Sequence, residues 1–353
     1  MTVATSERYA AMLDAALRGG HALPAINVSS TQTLNAVLQG FAEAESDGIV
    51  QVSVGGAAYL SGSLRDRVAG SLAFAAFARE VASRYPGITI ALHTDHCAPQ
   101  HLEEWVLPLL RHEIARRSHG EEPAFQSHMW DGSTLPLPEN LDVARRLLDL
   151  SSRAGTILEI EVGAVGGEED GNRADIDERL YSTPADGLAV ARALGLGERG
   201  RYMAAFTFGN VHGSYKPGVV RLRPRLLGEI QTAVDDAVRG GRVPGADPAR
   251  MVKGRPFALV FHGGSGSSPE DIAEAVRQGV VKMNIDTDTQ YAFTRAAAGH
   301  MFEHYDAVLK VDGEVGDKRY YDPRSWGREA EDAMARRVVE ACVRLGSAGR
   351  ALR

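Results

Sequence analysis

The feature that most constrains this chain is an alternation repeated eight times along its length. Short apolar runs with strand character alternate with longer amphipathic stretches. The runs are Ala22–Ser29, Ile49–Gly56, Ile88–Asp95, Ala124–Asp131, Thr156–Gly163, Tyr202–His212, Phe257–Gly264 and Val280–Asp288. Helical patterns lie between them, for example Thr31–Glu45, Leu64–Tyr85, Asn140–Ser152, Arg225–Arg239, Pro269–Gln278 and Thr287–Glu303. Parallel strands need a crossover, which helices supply, so the alternation predicts a parallel sheet. Eight units without a Pro/Gly/Ser linker predict an α/β fold of the closed (β/α)8 TIM barrel type, as one domain over residues 1–353. An open doubly wound sheet shares the alternation and is the alternative. Gly48, Gly87, Gly155 and Gly279 stand just before strands, where a left-handed residue stops the preceding helix. Residues beyond the ~250 of a typical barrel are expected in three places. They are a charged insert Arg111–Glu122, an acidic Gly-rich loop Gly166–Asp177, and a C-terminal extension from about residue 306 with a polar loop Asp312–Tyr321 and a helix Arg328–Leu345.

Charge and composition narrow the partners. With 39 Lys+Arg against 46 Asp+Glu the net charge is −7, which argues against non-specific nucleic-acid binding. Two cysteines, Cys97 and Cys342, make no disulfide framework and point to a reducing compartment. The first residues lack the apolar core of a signal peptide, and no stretch resembles the ~20 apolar residues that span a bilayer. The expectation is a cytoplasmic protein with neither nucleic acid nor membrane as partner.

Three histidines close three of the runs: His96 in ALHTDH, His212 in FTFGNVH and His262 in FALVFH. In a parallel barrel all strand C-termini open onto one rim, where active sites form. Three imidazoles there would make an open zinc site with one exchangeable position. Read singly, each fits a hydrogen-bonded rim residue. His93 shares a strand face with Asp95 and reads as support for the site. His101, His112, His119, His300 and His304 fall on helical or charged segments and are expected in solvent. His21 and His128 carry no assignment.

Carboxylates gather on the same rim. Asp95 adjoins His96, Asp131 ends the fourth run, and Glu159 and Glu161 alternate on one face of the fifth. Inward carboxylates need partners. Lys282 has the parity of Asn284 and Asp286, so a buried ion pair is expected of Lys282 and Glu159 before catalysis. Glu168 and Glu169 lie in GGEEDG, where glycines let a loop carry an acid/base to substrate, although alone it reads as a solvated acidic turn. Gly263-Gly264-Ser265-Gly266 follows the seventh run, and Asn284-Ile285-Asp286-Thr287 closes the eighth ahead of a helix. Backbone N–H groups of such turns bind anions, and barrels often hold phosphate at these two loops. Gly213 and Lys216, in HGSYKPG, could add to this grip.

HTDHC, LEIEVGAVGGEEDG, FGNVHGSYKPG, VFHGGSGS and VVKMNIDTDTQ, in that order, resemble the zinc-dependent class II fructose-bisphosphate aldolases. PAINV near the start, VSVGGAA after the second strand and YYDPRSW near the end extend the similarity over almost the whole chain. The resemblance implies that His96, His212 and His262 hold the catalytic zinc. Asp95 would protonate or polarise the aldehyde, and Glu169 would exchange the proton on the ketose-phosphate carbon. Asp131 and Glu161 match positions that can hold a second divalent metal. Asn27 and Ser53 match contacts near the reacting carbons. Gly213, Gly263, Gly264 and Ser265, with Asn284, Ile285, Asp286 and Thr287, match the dihydroxyacetone phosphate cradle. Arg324 matches an arginine that a neighbouring subunit supplies, implying a homo-oligomer, dimer or tetramer. A monovalent cation, Na+ or K+, near Gly213 is usual in the family. Some relatives carry Cys or Thr within the segment that reads GAVGGEED here.

The implied reaction is reversible aldol cleavage of D-fructose 1,6-bisphosphate to dihydroxyacetone phosphate and D-glyceraldehyde 3-phosphate. Zinc would stabilise the enediolate charge as a Lewis acid. Competing readings are a tagatose-bisphosphate aldolase, a Schiff-base aldolase using Lys282, a barrel metallohydrolase and a non-catalytic sugar-phosphate binder.

Overall fold

The computed structural model describes residues 2–163, 166–169, 172–174, 180–212, 222–246, 251–252, 254–264, 267–309 and 315–352, with backbone alone at 166–169, 172–174 and 211–212. Eight strands, β1 (Leu23–Asn27), β2 (Gly48–Val52), β3 (Ile90–Cys97), β4 (Ser127–Trp130), β5 (Ile157–Val162), β6 (Tyr202–Phe206), β7 (Leu259–Phe261) and β8 (Val280–Ile285), form the barrel. All are parallel and neighbours in chain order, and β8 returns to β1 with Leu23 opposite Lys282 and Ile26 opposite Ile285. The ring is closed, which excludes the open doubly wound alternative.

The amphipathic stretches wrap this ring. Helix α1 (Ser6–Gly19) precedes β1, α2 (Thr31–Glu43) follows it, and α3 (Val54–Leu60) and α4 (Arg67–Ala82) follow β2. Helix α5 (Leu107–Ser118) follows β3, α6 (Leu137–Ala154) β4, α7 (Pro184–Leu194) β5, α8 (Arg225–Arg239) β6, and α9 (Pro269–Arg277) β7. Four helices follow β8: α10 (Thr287–Glu303), α11 (Tyr305–Val308), α12 (Lys318–Tyr321) and α13 (Pro323–Arg344).

Two apolar regions hold the fold. One lies between the outer strand faces and the helices, where Phe41, Phe125, Trp130, Phe206 and Val338 are buried. The other fills the lower lumen with Leu23, Ala25, Ile49, Ala91, Ile157, Met203 and Val260, and α1 closes it with Tyr9, Met12 and Leu13. Helix α1 can act as this plug because it is defined at both ends. The Thr5 hydroxyl accepts the Arg8 N–H at 3.1 Å, and Gly20 at φ 64° ends the helix in the left-handed region.

The structure revises several expectations. Residues 111–122 are no insert: most belong to α5, the crossover between β3 and β4. Its charged look hid a buried carboxylate, because Glu113 accepts the Ala124 N–H at 2.6 Å and the Phe125 N–H at 3.3 Å. The acidic Gly-rich segment carries two short strands, Gly166–Glu169 and Asn172–Ala174, paired antiparallel. The run Tyr202–His212 divides into β6 and Val211–His212, which pairs with Gly166–Glu169. The run Ile49–Gly56 ends as strand at Val52, because Ser53 begins α3 as its N-cap. The C-terminal helix starts at Pro323. Gly155 and Gly279 have positive φ as expected, whereas Gly48 and Gly87 do not. A Cβ on Gly48 would meet the Phe41 ring at 2.1 Å, so close packing requires that glycine. His300, expected in solvent, is buried, with Nδ1 at 2.9 Å from Glu329 and Nε2 at 2.8 Å from the Tyr320 carbonyl.

Candidate active site

The upper lumen is polar, and β3 supplies its central acid and one imidazole through a local irregularity. Side chains of neighbouring residues on a regular strand point to opposite faces. Asp95 and His96 escape this because the register of β3 against β4 shifts between Thr94 and Cys97. His96 also takes φ 47°, a left-handed conformation rare for a residue with a side chain. Both side chains therefore face the barrel mouth, Asp95 buried and His96 half-buried.

His96, Glu161 and His262 offer ligand atoms that lie within 4.8 Å of one another. His96 Nδ1 is 3.4 Å from Glu161 Oε2, and His262 Nδ1 is 3.4 Å from Glu161 Oε1. Ligands about 2.0–2.2 Å from a tetrahedral ion stand roughly 3.3–3.6 Å from one another, so these side chains fit a divalent metal. Asp131 joins from β4, with Oδ2 at 3.1 Å from His96 Nδ1 and Oδ1 fixed by the Ser133 hydroxyl at 2.5 Å. Burial pushes the Asp131 carboxyl up, but His96 and Ser133 outweigh it and hold it well below the carboxylate range. Burial likewise pushes the His262 imidazole down, and Glu161 and Glu159 overturn this, raising it to about 9. The two rings stand 4.7 Å apart, centroid to centroid. The cluster has ligands for a cation and excess negative charge to attract one.

Beneath it lies a buried layer that reaches His262 directly and Asp95 through Asn284. Glu159 is fully buried and binds Lys282 Nζ at 2.9 Å and His262 Nε2 at 2.8 Å, with His93 Nε2 at 3.5 Å. Burial alone would raise the Glu159 carboxyl, but Lys282 and His93 hold it far below its usual range. The other His93 nitrogen bonds the Ser127 hydroxyl at 2.7 Å, so His93 supports the site as its strand parity implies. Lys282 also donates to Asn284 Oδ1 at 2.6 Å. Asp286, which shares its parity, instead accepts from Gln290 Nε2 at 2.6 Å. Buried and ion-paired, Lys282 is no free amine for an imine, which counts against the Schiff-base reading.

Asp95 is held by three amides. Asn284 Nδ2 donates to Oδ1 at 2.9 Å, while Asn27 Nδ2 and Gln51 Nε2 donate to Oδ2 at 2.9 and 3.0 Å. Sequence reasoning missed Gln51. Its signal was present: a polar residue with the parity of Ile49, in the middle of an apolar run, must find a partner in the lumen.

The remaining expected residues fall as follows. The Ser53 hydroxyl accepts the Gly56 N–H at 3.2 Å. Gly263, at φ 61°, and Gly264 follow β7, and a Cβ on Gly264 would strike Met283 at 2.1 Å. Asn284 and Ile285 end β8, and Asp286 and Thr287 open α10, whose first N–H groups lie at the rim. The strand bearing Glu169 is brought beside His212, with Gly167 opposite it. Arg324 opens α13, 85% exposed and ion-paired to Asp322 at 2.7 Å. Gly213, Lys216 and Ser265 lie outside the described residues.

A family profile described as fructose-bisphosphate aldolase class-II matches residues 7–350. The chain belongs to the class II fructose-bisphosphate aldolase family. It is 56% identical over 350 residues to a fructose-bisphosphate aldolase of Streptomyces galbus, covering 99% of both chains. It is 54% identical over 354 residues to one of Streptomyces coelicolor, covering 100% of both. Among solved structures it is similar to a fructose-bisphosphate aldolase of Campylobacter jejuni, with a TM-score of 0.83 at 35% identity, covering 99% of this chain and 97% of that one. In a metal-dependent family of this kind, the His96, Glu161 and His262 cluster at the barrel mouth is the natural place for the ion. No helix among the described residues is long and apolar enough to cross a membrane.

Proposed function

We propose that this class II aldolase reversibly cleaves D-fructose 1,6-bisphosphate to dihydroxyacetone phosphate and D-glyceraldehyde 3-phosphate. The observation that carries the reading is the convergence of His96, Glu161 and His262 beside Asp95, on the rim where barrel strands end. His96, His212 and His262 would hold zinc, with Asp131 and Glu161 available to a second divalent ion. A bound divalent ion supplies Lewis-acid stabilisation of charge on the substrate oxygens.

The chain's own groups do the rest. In the condensation direction the Glu169 carboxylate takes the proton from the carbon of dihydroxyacetone phosphate that will form the bond. Asp95 gives a proton to the aldehyde oxygen as it becomes a hydroxyl. The amides of Asn27, Gln51 and Asn284 fix the Asp95 carboxyl plane for that transfer. Asn27 and Ser53 would contact substrate near the reacting carbons. Backbone N–H groups of Gly213, Gly263, Gly264 and Ser265, and of Asn284, Ile285, Asp286 and Thr287, would cradle its phosphate. A monovalent cation, Na+ or K+, would sit near Gly213.

We read the chain as a single barrel domain that works as a homo-oligomer in the cytoplasm. Tyr291, Phe302, Tyr305, Leu309 and Val315 are exposed on and beside α10 and α11, a set of apolar side chains that a second subunit would cover. Arg324 stands on the adjoining α13, where it could reach a neighbour's substrate. Light scattering should give a dimer or tetramer.

The deciding experiment is aldol cleavage of fructose and tagatose 1,6-bisphosphates, measured together with the metal-to-protein ratio. Fructose turnover that a chelator abolishes and zinc restores is expected. Asp95→Ala and Glu169→Ala should keep zinc and lose most turnover, and His212→Ala should lose zinc. Near-normal activity in either carboxylate variant removes that residue from the mechanism, and full metal retention in His212→Ala overturns the ligand assignment.

A further inference from the structure

We propose that Lys282 is a positioning residue: its one buried ammonium fixes both the imidazole that faces the metal cluster and the amide that orients the acid. This rests on the aldolase reading above and extends it to a group that touches neither metal nor substrate.

The first arm runs through Glu159. A carboxylate only accepts hydrogen bonds. His262 Nε2, 2.8 Å from Glu159 Oε1, must therefore be the donor, and a neutral ring keeps its lone pair on Nδ1. Nδ1 is the atom that faces Glu161. Glu159 stays in place because Lys282 Nζ bridges both its oxygens, at 3.1 Å and 2.9 Å. An outer carboxylate that fixes a ligand's tautomer commonly governs metal affinity.

The second arm runs through Asn284. An ammonium only donates, so the 2.6 Å contact from Lys282 Nζ obliges Asn284 to present Oδ1 to it. The amide then has its Nδ2 on the other side, where it donates to Asp95 Oδ1 at 2.9 Å. Without Lys282 the amide can turn over, setting a carbonyl oxygen against the Asp95 carboxylate. Lys282, Glu159, His262, Asn284 and Asp95 are all buried, so water offers little substitute.

The test uses the full chain, stripped of metal and titrated with Zn2+ alone, then assayed for cleavage. Lys282→Met should raise the zinc Kd by about 10–100-fold. It should lower kcat by up to about 100-fold while KM changes less, because an approach geometry is lost. Lys282→Met leaves Glu159 buried without its cation and can fail to fold, so the double variant Lys282→Met with Glu159→Gln is measured beside it. That pair should recover the thermal midpoint without recovering zinc affinity or kcat. A folded single or double variant with zinc affinity and kcat within twofold of the starting protein overturns the proposal, even where the midpoint falls. Failure of the aldolase reading is seen elsewhere, as an absence of cleavage by the unaltered holoprotein.

Discussion

In the lower lumen the strands present Leu23, Ala25, Ile49, Ala91, Ile157, Met203 and Val260 to the plug residues Tyr9, Met12 and Leu13. Higher up, the same strands present Asn27, Gln51, His93, Glu159 and His262. Ile157 and Glu159 stand two positions apart on one strand, as do Ile49 and Gln51 on another. The lower half is held by area removed from water and is indifferent to which apolar shape fills it, within packing limits. The upper half is held by a buried polar network in which His262, Glu159, Lys282, Asn284 and Asp95 are linked in series. Stability that comes from packing leaves the polar layer free to be arranged for metal and substrate. The two halves should therefore fail differently when altered.

The largest effect is expected in the polar layer. Glu159→Leu removes the carboxylate shared by Lys282, His262 and His93. Breaking a buried ion pair by removing one partner costs about 3–5 kcal/mol. Urea unfolding should register that loss, and zinc affinity should fall with it. A variant that unfolds at the original urea midpoint would mean that the layer does not act as a unit.

The apolar half offers the contrast. Leu13→Ala opens a cavity under the barrel, and such truncations cost about 2–5 kcal/mol. Here the loss should appear in urea unfolding alone, with zinc Kd and kcat of the folded protein unchanged. A fall in metal affinity would show that the plug and the mouth are coupled, and the division between them would have to be abandoned.

The two halves were also unequally legible. The eight runs, their order and the lower core follow from periodicity, because an apolar residue needs only the right face. In the polar half, strand parity correctly placed Glu159 and Glu161 on one face, and set Lys282 near them. Parity could not bring Asp95 and His96 to the same mouth, since alternation sends neighbours apart. That needed the register shift in β3 and the positive φ of His96, which depend on how β3 lies against β4. The amides of Asn27 and Gln51 on Asp95 are likewise fixed by strand register across the barrel, which no local pattern encodes. Helix α5 was misread as an insert because Arg111, Arg116 and Arg117 mask a narrow buried face of Leu109, Leu110 and Glu113.

A pH experiment sharpens the contrast. In the metal-free protein the His262 imidazole is raised from 6.5 to about 9: burial pushes it down, and Glu161 and Glu159 overcome this. A raised value in the folded state means that the proton stabilises the fold. This contribution is complete below about pH 6.5 and is lost as pH rises through about 9. Metal must displace the proton on Nδ1, so binding should release protons in this range. Competition by a single proton weakens the apparent zinc Kd about tenfold for each unit of pH below about 9. Calorimetry in buffers of different ionisation enthalpy measures the release directly. A zinc Kd independent of pH between 7 and 9 would remove His262 from the ligand set.

The smallest effect belongs to the plug again. Thr5 caps α1 through a single hydrogen bond to the Arg8 N–H, at 3.1 Å. Thr5→Ala loses that bond at a half-exposed position, and N-cap truncations of this kind cost about 1 kcal/mol. The cost should appear as a small drop in the urea midpoint with an unchanged slope, since the surface exposed on unfolding is the same. The pH dependence of zinc binding should stay as it was, because no titrating group near the metal cluster has been touched. A change in that profile would mean that the cap is coupled to the polar layer through Tyr9, whose hydroxyl lies 3.7 Å from the Met203 sulfur and also bonds Ser127, the partner of His93.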